Sequence, residues 1–207
     1  MNDLLDEQER LQKAADRVIE LLQLEPRLAR IGKPIRVGSS ALGLMVRRDI
    51  DITVVCERLN SAVRAAFAQL GAELTAMDRY VASVRFRNDT GAWNADPACY
   101  PDGLYLGLSV RTDEGIDWTV DIWAVDEPDR QPDLEHLRTL PPRLSDDHRR
   151  AILTIKRALA AARSSSLATE IPSAYVYEAV VEAAVRSVEQ FSEWLAGKSS
   201  AGTAERR

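Results

Sequence analysis

RVGSSALGLMVRRDIDITVV, Arg36 to Val55, is the stretch that decides how this chain folds. Its last seven residues, Asp49 to Val55, alternate in character. In a strand, successive side chains face opposite sides, so Ile50, Ile52 and Val54 share one face and Asp49, Asp51 and Thr53 the other. Aspartate is a poor strand former, and like charges on one strand face repel. A divalent cation removes that conflict. Mg²⁺ takes carboxylate oxygens together with substrate phosphates and keeps some of its waters. Two such ions can serve both the attacking and the leaving oxygen of an in-line displacement.

Phosphates also need donors, and the beginning of the stretch supplies them. Gly38 and Ser39 follow a short strand, Pro34–Val37, and precede a short helix expected over Ser40–Leu44. Glycine permits close backbone approach, serine adds a hydroxyl, and a helix start presents N–H groups. Gly38, Ser39 and Ser40 are therefore the expected phosphate-binding residues, and Asp49 and Asp51 the expected metal ligands. Arg47 and Arg48 lie directly ahead of the acids, where they bind phosphate or compensate the acidic pair.

Gly38-Ser39, nine intervening residues, then Asp49-Ile-Asp51-Ile resembles the signature of the DNA polymerase beta-like nucleotidyltransferase superfamily. The resemblance covers roughly residues 30 to 126. It implies a mixed sheet flanked by helices, transfer of a nucleotidyl group from a nucleoside triphosphate, and two Mg²⁺ ions. It also implies a third carboxylate on a later strand. Asp121 in DWTVDIWAV is preferred because Val120 and Ile122 flank it, and Asp117 on the same strand face is the rival. RRAILTIKRAL and IPSAYVYEAVVEA further resemble the helical unit that follows the catalytic domain in the poly(A) polymerase and oligoadenylate synthetase branch. That likeness places Lys156 at the position of a lysine that reaches the triphosphate.

The rest of the chain reads as α+β. Apolar spacing predicts a helix over residues 2–24, capped by Asn2 or Asp3. Asn60 is expected to cap a helix ended by Gly71. Strands are expected at Val81–Arg87, Leu104–Val110 and Ile116–Val125, the last two forming a hairpin through RTDEG. NDTGAWNADPACYPDG, residues 88–103, reads as a loop. Ser145 is expected to open a helix to about Ala162, and after a Ser-rich gap Ser173 to cap another to about Ala196. The expected organisation is a catalytic domain at 1–126, a Pro- and Asp-rich linker at 127–144, a helical unit at 145–196 and a disordered tail at 197–207.

Composition narrows the function classes. The 207 residues are 45% apolar and 29% charged, with a net charge of −5 and a pI near 5.2. A protein that binds nucleic acid through phosphates is normally basic, so this balance disfavours a long nucleic acid as partner. Two cysteines and two histidines offer no zinc signature. No segment is apolar enough to span a bilayer, so no membrane partner and a cytoplasmic location are expected. Trp93, Tyr100 and Tyr105 could stack on a base, although aromatics near a loop more often anchor it. Glu178 and Glu182 read as a solvated helix face, and His136 and His148 as surface residues.

These readings converge on a Mg²⁺-dependent nucleotidyltransferase in which Asp49, Asp51 and Asp121 hold the metals. The expected co-substrate is a nucleoside triphosphate. The expected acceptor is a hydroxyl on a small, antibiotic-like molecule or on a protein side chain. Two alternatives stand beside it: a degenerate module that binds a nucleotide without turning it over, and one half of a toxin–antitoxin pair.

Overall fold

The computed structural model describes residues 3–163 and 171–204. Residues 1–2, with the expected Asn2 cap, the Ser-rich gap at 164–170 and the end of the expected tail, 205–207, lie outside the described residues. The chain divides into two compact units. One is Arg10–Pro141, and the other is Met1–Glu9 with Pro142–Arg207.

The first unit is built on five strands: β1 (Lys33–Val37), β2 (Asp49–Val55), β3 (Val81–Asp89), β4 (Gly103–Arg111) and β5 (Asp117–Val125). Their order in the sheet is β1-β2-β5-β4-β3, with β2 and β5 parallel and every other neighbour antiparallel. The fold is a mixed-sheet α+β fold. One face is apolar: Ile50, Ile52 and Val54 of β2, Val120, Ile122 and Ala124 of β5, and Leu104, Leu106 and Leu108 of β4 are all buried. They share a core with Ala15, Val18 and Leu22 from helix α1 (Leu4–Leu21) and its end, Leu24 and Leu28 from α2 (Leu24–Leu28), and Phe67, Leu70 and Leu74 from α4 (Ser61–Thr75). Between β1 and β2 lies the one-turn helix α3 (Gly38–Leu42). The opposite face of β2 and β5 carries Asp49, Asp51, Thr53, Asp121 and Trp123, as the strand period requires.

Caps explain several boundaries. The Asn60 side chain accepts from Val63 N at 3.0 Å, and α4 starts at the next residue. At the other end, α4 runs past Gly71 to Thr75 instead of stopping there. A Cβ on Gly71 would sit 3.2 Å from Leu106 Cδ2, so this glycine lets the helix lie close on β4. The β4–β5 turn closes as expected, with Thr112 N donating to Ile116 O at 3.0 Å and Gly115 at φ 74°.

Residues 127–144 are not a plain linker. They contain α5 (Pro132–Thr139), between short 3-10 turns at Pro128–Arg130 and Pro141–Arg143. Pro128 and Pro132 occupy the first turns of their helices, where no backbone donor is needed. Proline-rich composition here starts helices.

The second unit contains α6 (Asp146–Arg163), α7 (Ser173–Val181) and α8 (Val188–Ala204). Ser145 and His148 cap α6 reciprocally: His148 N donates to Ser145 Oγ at 3.3 Å and Ser145 N to His148 Nδ1 at 3.2 Å. The single helix expected over 173–196 is two. Pro172 holds the cap position of α7, so Ser173 is already helical. The Arg186 guanidinium donates to Val180 O and Val185 O, at 2.7 and 2.8 Å, and Ala184 turns left-handed at φ 53°. A side chain thus captures the Val180 carbonyl in the last turn of α7 and that of Val185 beyond it, which holds the chain off the helical path. Backbone helix continues to Ala204, into the expected tail.

Candidate active site

The register of β2 against β5 assembles the acids. Asp51 lies directly beside Asp121, and Asp49 beside Thr119. Adjacent strands run about 4.8 Å apart, and side chains paired this way share a face. Asp49, Asp51 and Asp121 therefore occupy one small patch. Asp117 falls outside it. It pairs with Arg111 across β4, accepts from Arg111 Nε at 2.6 Å and Nη2 at 3.0 Å, and its side chain is 69% exposed. That guanidinium, first through its hydrogen bond, holds the Asp117 carboxyl below the usual range.

Gly38 sits against Asp51. Its φ is +64°, and a Cβ there would lie 2.3 Å from Asp51 Oδ2. Two requirements, left-handed backbone and close approach, select glycine at this position. The turn that follows is braced from inside. Ser40 is fully buried, its hydroxyl accepts from Arg36 Nε at 3.0 Å and donates to Val37 O at 3.3 Å, and Gln12 donates to its carbonyl at 2.9 Å. Ser40 was expected to touch phosphate, but its side chain is engaged in holding the turn. Ser39 is 7% exposed, and α3 begins two residues earlier than expected.

Tyr105 completes the patch. Its hydroxyl donates to Asp121 Oδ1 at 2.6 Å. Burial first, then that hydrogen bond, pushes the phenol up to about 12. The ring lies 5.0 Å from Trp123, and the Arg87 guanidinium stands over both rings, at 4.9 and 5.3 Å. Arg87 is itself paired with Asp89 at 2.7 Å. Sequence reasoning treated Tyr105 as a stacking or anchoring ring and missed its bond to the acid. A signal existed: closing the hairpin at Thr112–Ile116 pairs Tyr105 with Trp123 and Gly107 with Asp121.

Do these residues fit a metal? Asp49 Oδ1 is buried without a hydrogen-bond partner. A buried carboxylate oxygen left so is costly, and a hard cation satisfies it. Arg47 Nη2 lies 3.6 Å from Asp49 Oδ2. Among the described residues, no three His, Cys, Asp or Glu side chains are gathered closely enough to hold a metal ion by themselves. One or two carboxylates on a strand face still suit Mg²⁺, which takes few protein ligands and fills its shell with water and phosphate oxygens.

Lys156 belongs to the second unit, is 9% exposed, and donates to Tyr177 Oη at 3.4 Å. Glu182 pairs with Arg143 at 2.6 Å, and Glu178 pairs with Lys198. His148 is a capping residue. Trp93 and Tyr100 are exposed on the loop after β3. Cys56 is buried, which pushes its thiol up, and Cys99 is exposed. No described helix is long and apolar enough to cross a membrane.

No protein-family model and no curated protein matches this sequence. Solved structures do match its fold. A Cid1 poly(U) polymerase mutant bound to MgATP aligns with 81% of this chain at 20% identity and a TM-score of 0.56. A second Cid1 structure, described for its RNA terminal uridylyl transferase activity, aligns with 82% at 17% identity and 0.56. A cytoplasmic RNA terminal U-transferase aligns with 75% at 18% identity and 0.51. This chain shares its fold with these solved structures. It spans less than half the length of these neighbours, 48%, 46% and 42% respectively.

Proposed function

We propose that this chain is a Mg²⁺-dependent nucleotidyltransferase that moves a nucleoside monophosphate from a nucleoside triphosphate to a hydroxyl acceptor. One observation carries the reading: Asp51 and Asp121 are direct neighbours on parallel strands, with Gly38 packed against Asp51. Asp49, Asp51 and Asp121 would hold two Mg²⁺ ions, which supply charge neutralisation at the phosphates. Gly38 and Ser39 receive the β and γ phosphates, and Ser40 braces their turn. Lys156 enters as a triphosphate ligand on the resemblance of its helix alone.

The acceptor oxygen forms a bond to the α-phosphorus as the bond to the bridging oxygen breaks and pyrophosphate leaves. Asp121 orients the acceptor hydroxyl and takes its proton. Most of the catalytic effect is positioning and electrostatics.

The acceptor proposed first is a small hydroxyl compound or a protein side chain, in keeping with the acidic balance of the chain. A second reading, an RNA 3′ hydroxyl, is favoured by Arg85 and Arg87, which the register puts on the same sheet face as Asp121. The names of the neighbours also support it. The test incubates the protein with each labelled triphosphate and Mg²⁺, alone and with RNA or candidate hydroxyl compounds. Pyrophosphate release and nucleotide transfer are expected, with loss in Asp49→Ala/Asp51→Ala. Equal activity in that double variant would sink the metal assignment. Calorimetric binding of a triphosphate without any transfer would favour the degenerate module. An added nucleotide mass on a co-purified protein would favour the toxin–antitoxin reading.

A further inference from the structure

Asp121 has a partner that the proposed chemistry does not use. The O–H···O distance from Tyr105, 2.6 Å, is in the range of hydrogen bonds to an ionised acceptor. We propose that Tyr105 is a positioning residue, which holds Asp121 Oδ1 in place and leaves Oδ2 to meet the metal and the acceptor. This rests on the function proposed above.

The phenol is not merely near Asp121; it is built in. Tyr105 and Gly107 are two apart on β4 and share a face, and Gly107 pairs with Asp121 in the register. A Cβ on Gly107 would lie 2.3 Å from Tyr105 Oη and 2.8 Å from Cζ. The missing side chain at 107 is therefore the space through which the hydroxyl reaches the acid. Trp123 fixes one side of the ring, and the Arg87 guanidinium, tethered to Asp89, stands over it. Asp89, Arg87, Tyr105 and Asp121 form a continuous chain of contacts. Groups that orient a metal-binding carboxylate typically change affinity or activity 10- to 100-fold when removed.

Tyr105→Phe removes only the hydroxyl and retains the ring. Its expected effect is a fall in kcat of roughly 10- to 100-fold, with KM for the triphosphate within about twofold. Mg²⁺ affinity, titrated calorimetrically beside a non-hydrolysable triphosphate, should fall by roughly tenfold or more. Gly107→Ala, which displaces the hydroxyl while keeping Tyr105, should fall in the same direction on both readouts, with thermal melts showing that each variant folds. A Tyr105→Phe protein with wild-type kcat and Mg²⁺ affinity overturns the positioning role and leaves the proposed function standing. A wild-type protein that neither binds Mg²⁺ with nucleotide nor transfers one overturns both.

Discussion

Strand β5 carries two aspartates on one face, and its two ends treat them in opposite ways. Asp121 lies in the middle of the sheet, beside Asp51, and its donor is the neutral Tyr105 hydroxyl. Asp117 lies at the start of the strand, before the register with β2 begins at Asp49 and Thr119, and its donor is the Arg111 guanidinium in an exposed bidentate pair. A carboxylate with both oxygens held by one guanidinium has little to offer a metal. One held by a neutral donor among other acids keeps its charge unmatched, which is costly alone and useful with Mg²⁺. The difference teaches that sharing a face is not enough; the neighbour across the strand decides what a carboxylate can do.

The sharpest way to break this comparison is to neutralise each acid in turn. Asp121→Asn should lower kcat by roughly a thousandfold or more, since removing charge placed for the transition state costs on that order. Asp117→Asn should change kcat by less than about twofold, because an exposed ion pair contributes little. Steady-state transfer assays read both, and equal effects would erase the distinction between the two ends.

Gly38→Ala comes next. The added methyl meets Asp51 Oδ2 at 2.3 Å in a backbone region that disfavours side chains. Displacing the reacting groups by about 1 Å costs on the order of a hundredfold in rate. The left-handed conformation adds a stability loss of roughly 1 kcal/mol, visible in a denaturant melt. Full activity in this variant would mean that Asp51 need not stay where Gly38 leaves it.

pH separates the two ends at opposite extremes. Tyr105 is raised to about 12 in the folded chain, above the usual tyrosine value of about 10. Its contribution to stability is fully present below about 10 and is lost as pH rises toward 12. In an absorbance titration of tyrosinate, one of the five tyrosines should ionise late, and Tyr105→Phe should remove that late step. Asp117 is lowered instead. Its contribution is present above the usual aspartate value of about 4 and is lost as pH falls through its lower folded value. Being exposed, it should shift the melting temperature least of all: Arg111→Gln should move it by less than about 2 °C and leave transfer unchanged.

Much of this could be read along the chain, for local reasons. The period of β2 puts Asp49 and Asp51 on one face whatever the tertiary fold. Asn60 and Ser145 announce helix starts through side chains that reach only three residues. The Thr112–Ile116 turn closes its own hairpin. Expectations failed where a distant contact outvoted a local signal. Gly71 reads as a helix stop, yet it is the close contact of α4 with Leu106. Residues 173–196 read as one helix, yet Arg186 folds back on the Val180 carbonyl of α7. The prolines of 127–144 read as linker, yet Pro128, Pro132 and Pro141 each begin a helical turn.

The opening stretch, by itself, determined the strand, the shared face of its two acids and the glycine–serine turn nine residues ahead, because strand period and turn chemistry are properties of neighbouring residues. Only the tertiary structure decided that Asp121 stands beside Asp51, that Asp117 answers to Arg111, and that Tyr105 reaches its acid across Gly107. Those facts depend on how β2, β4 and β5 slide against one another, and the register of strands far apart in sequence is set by the packing of a common core.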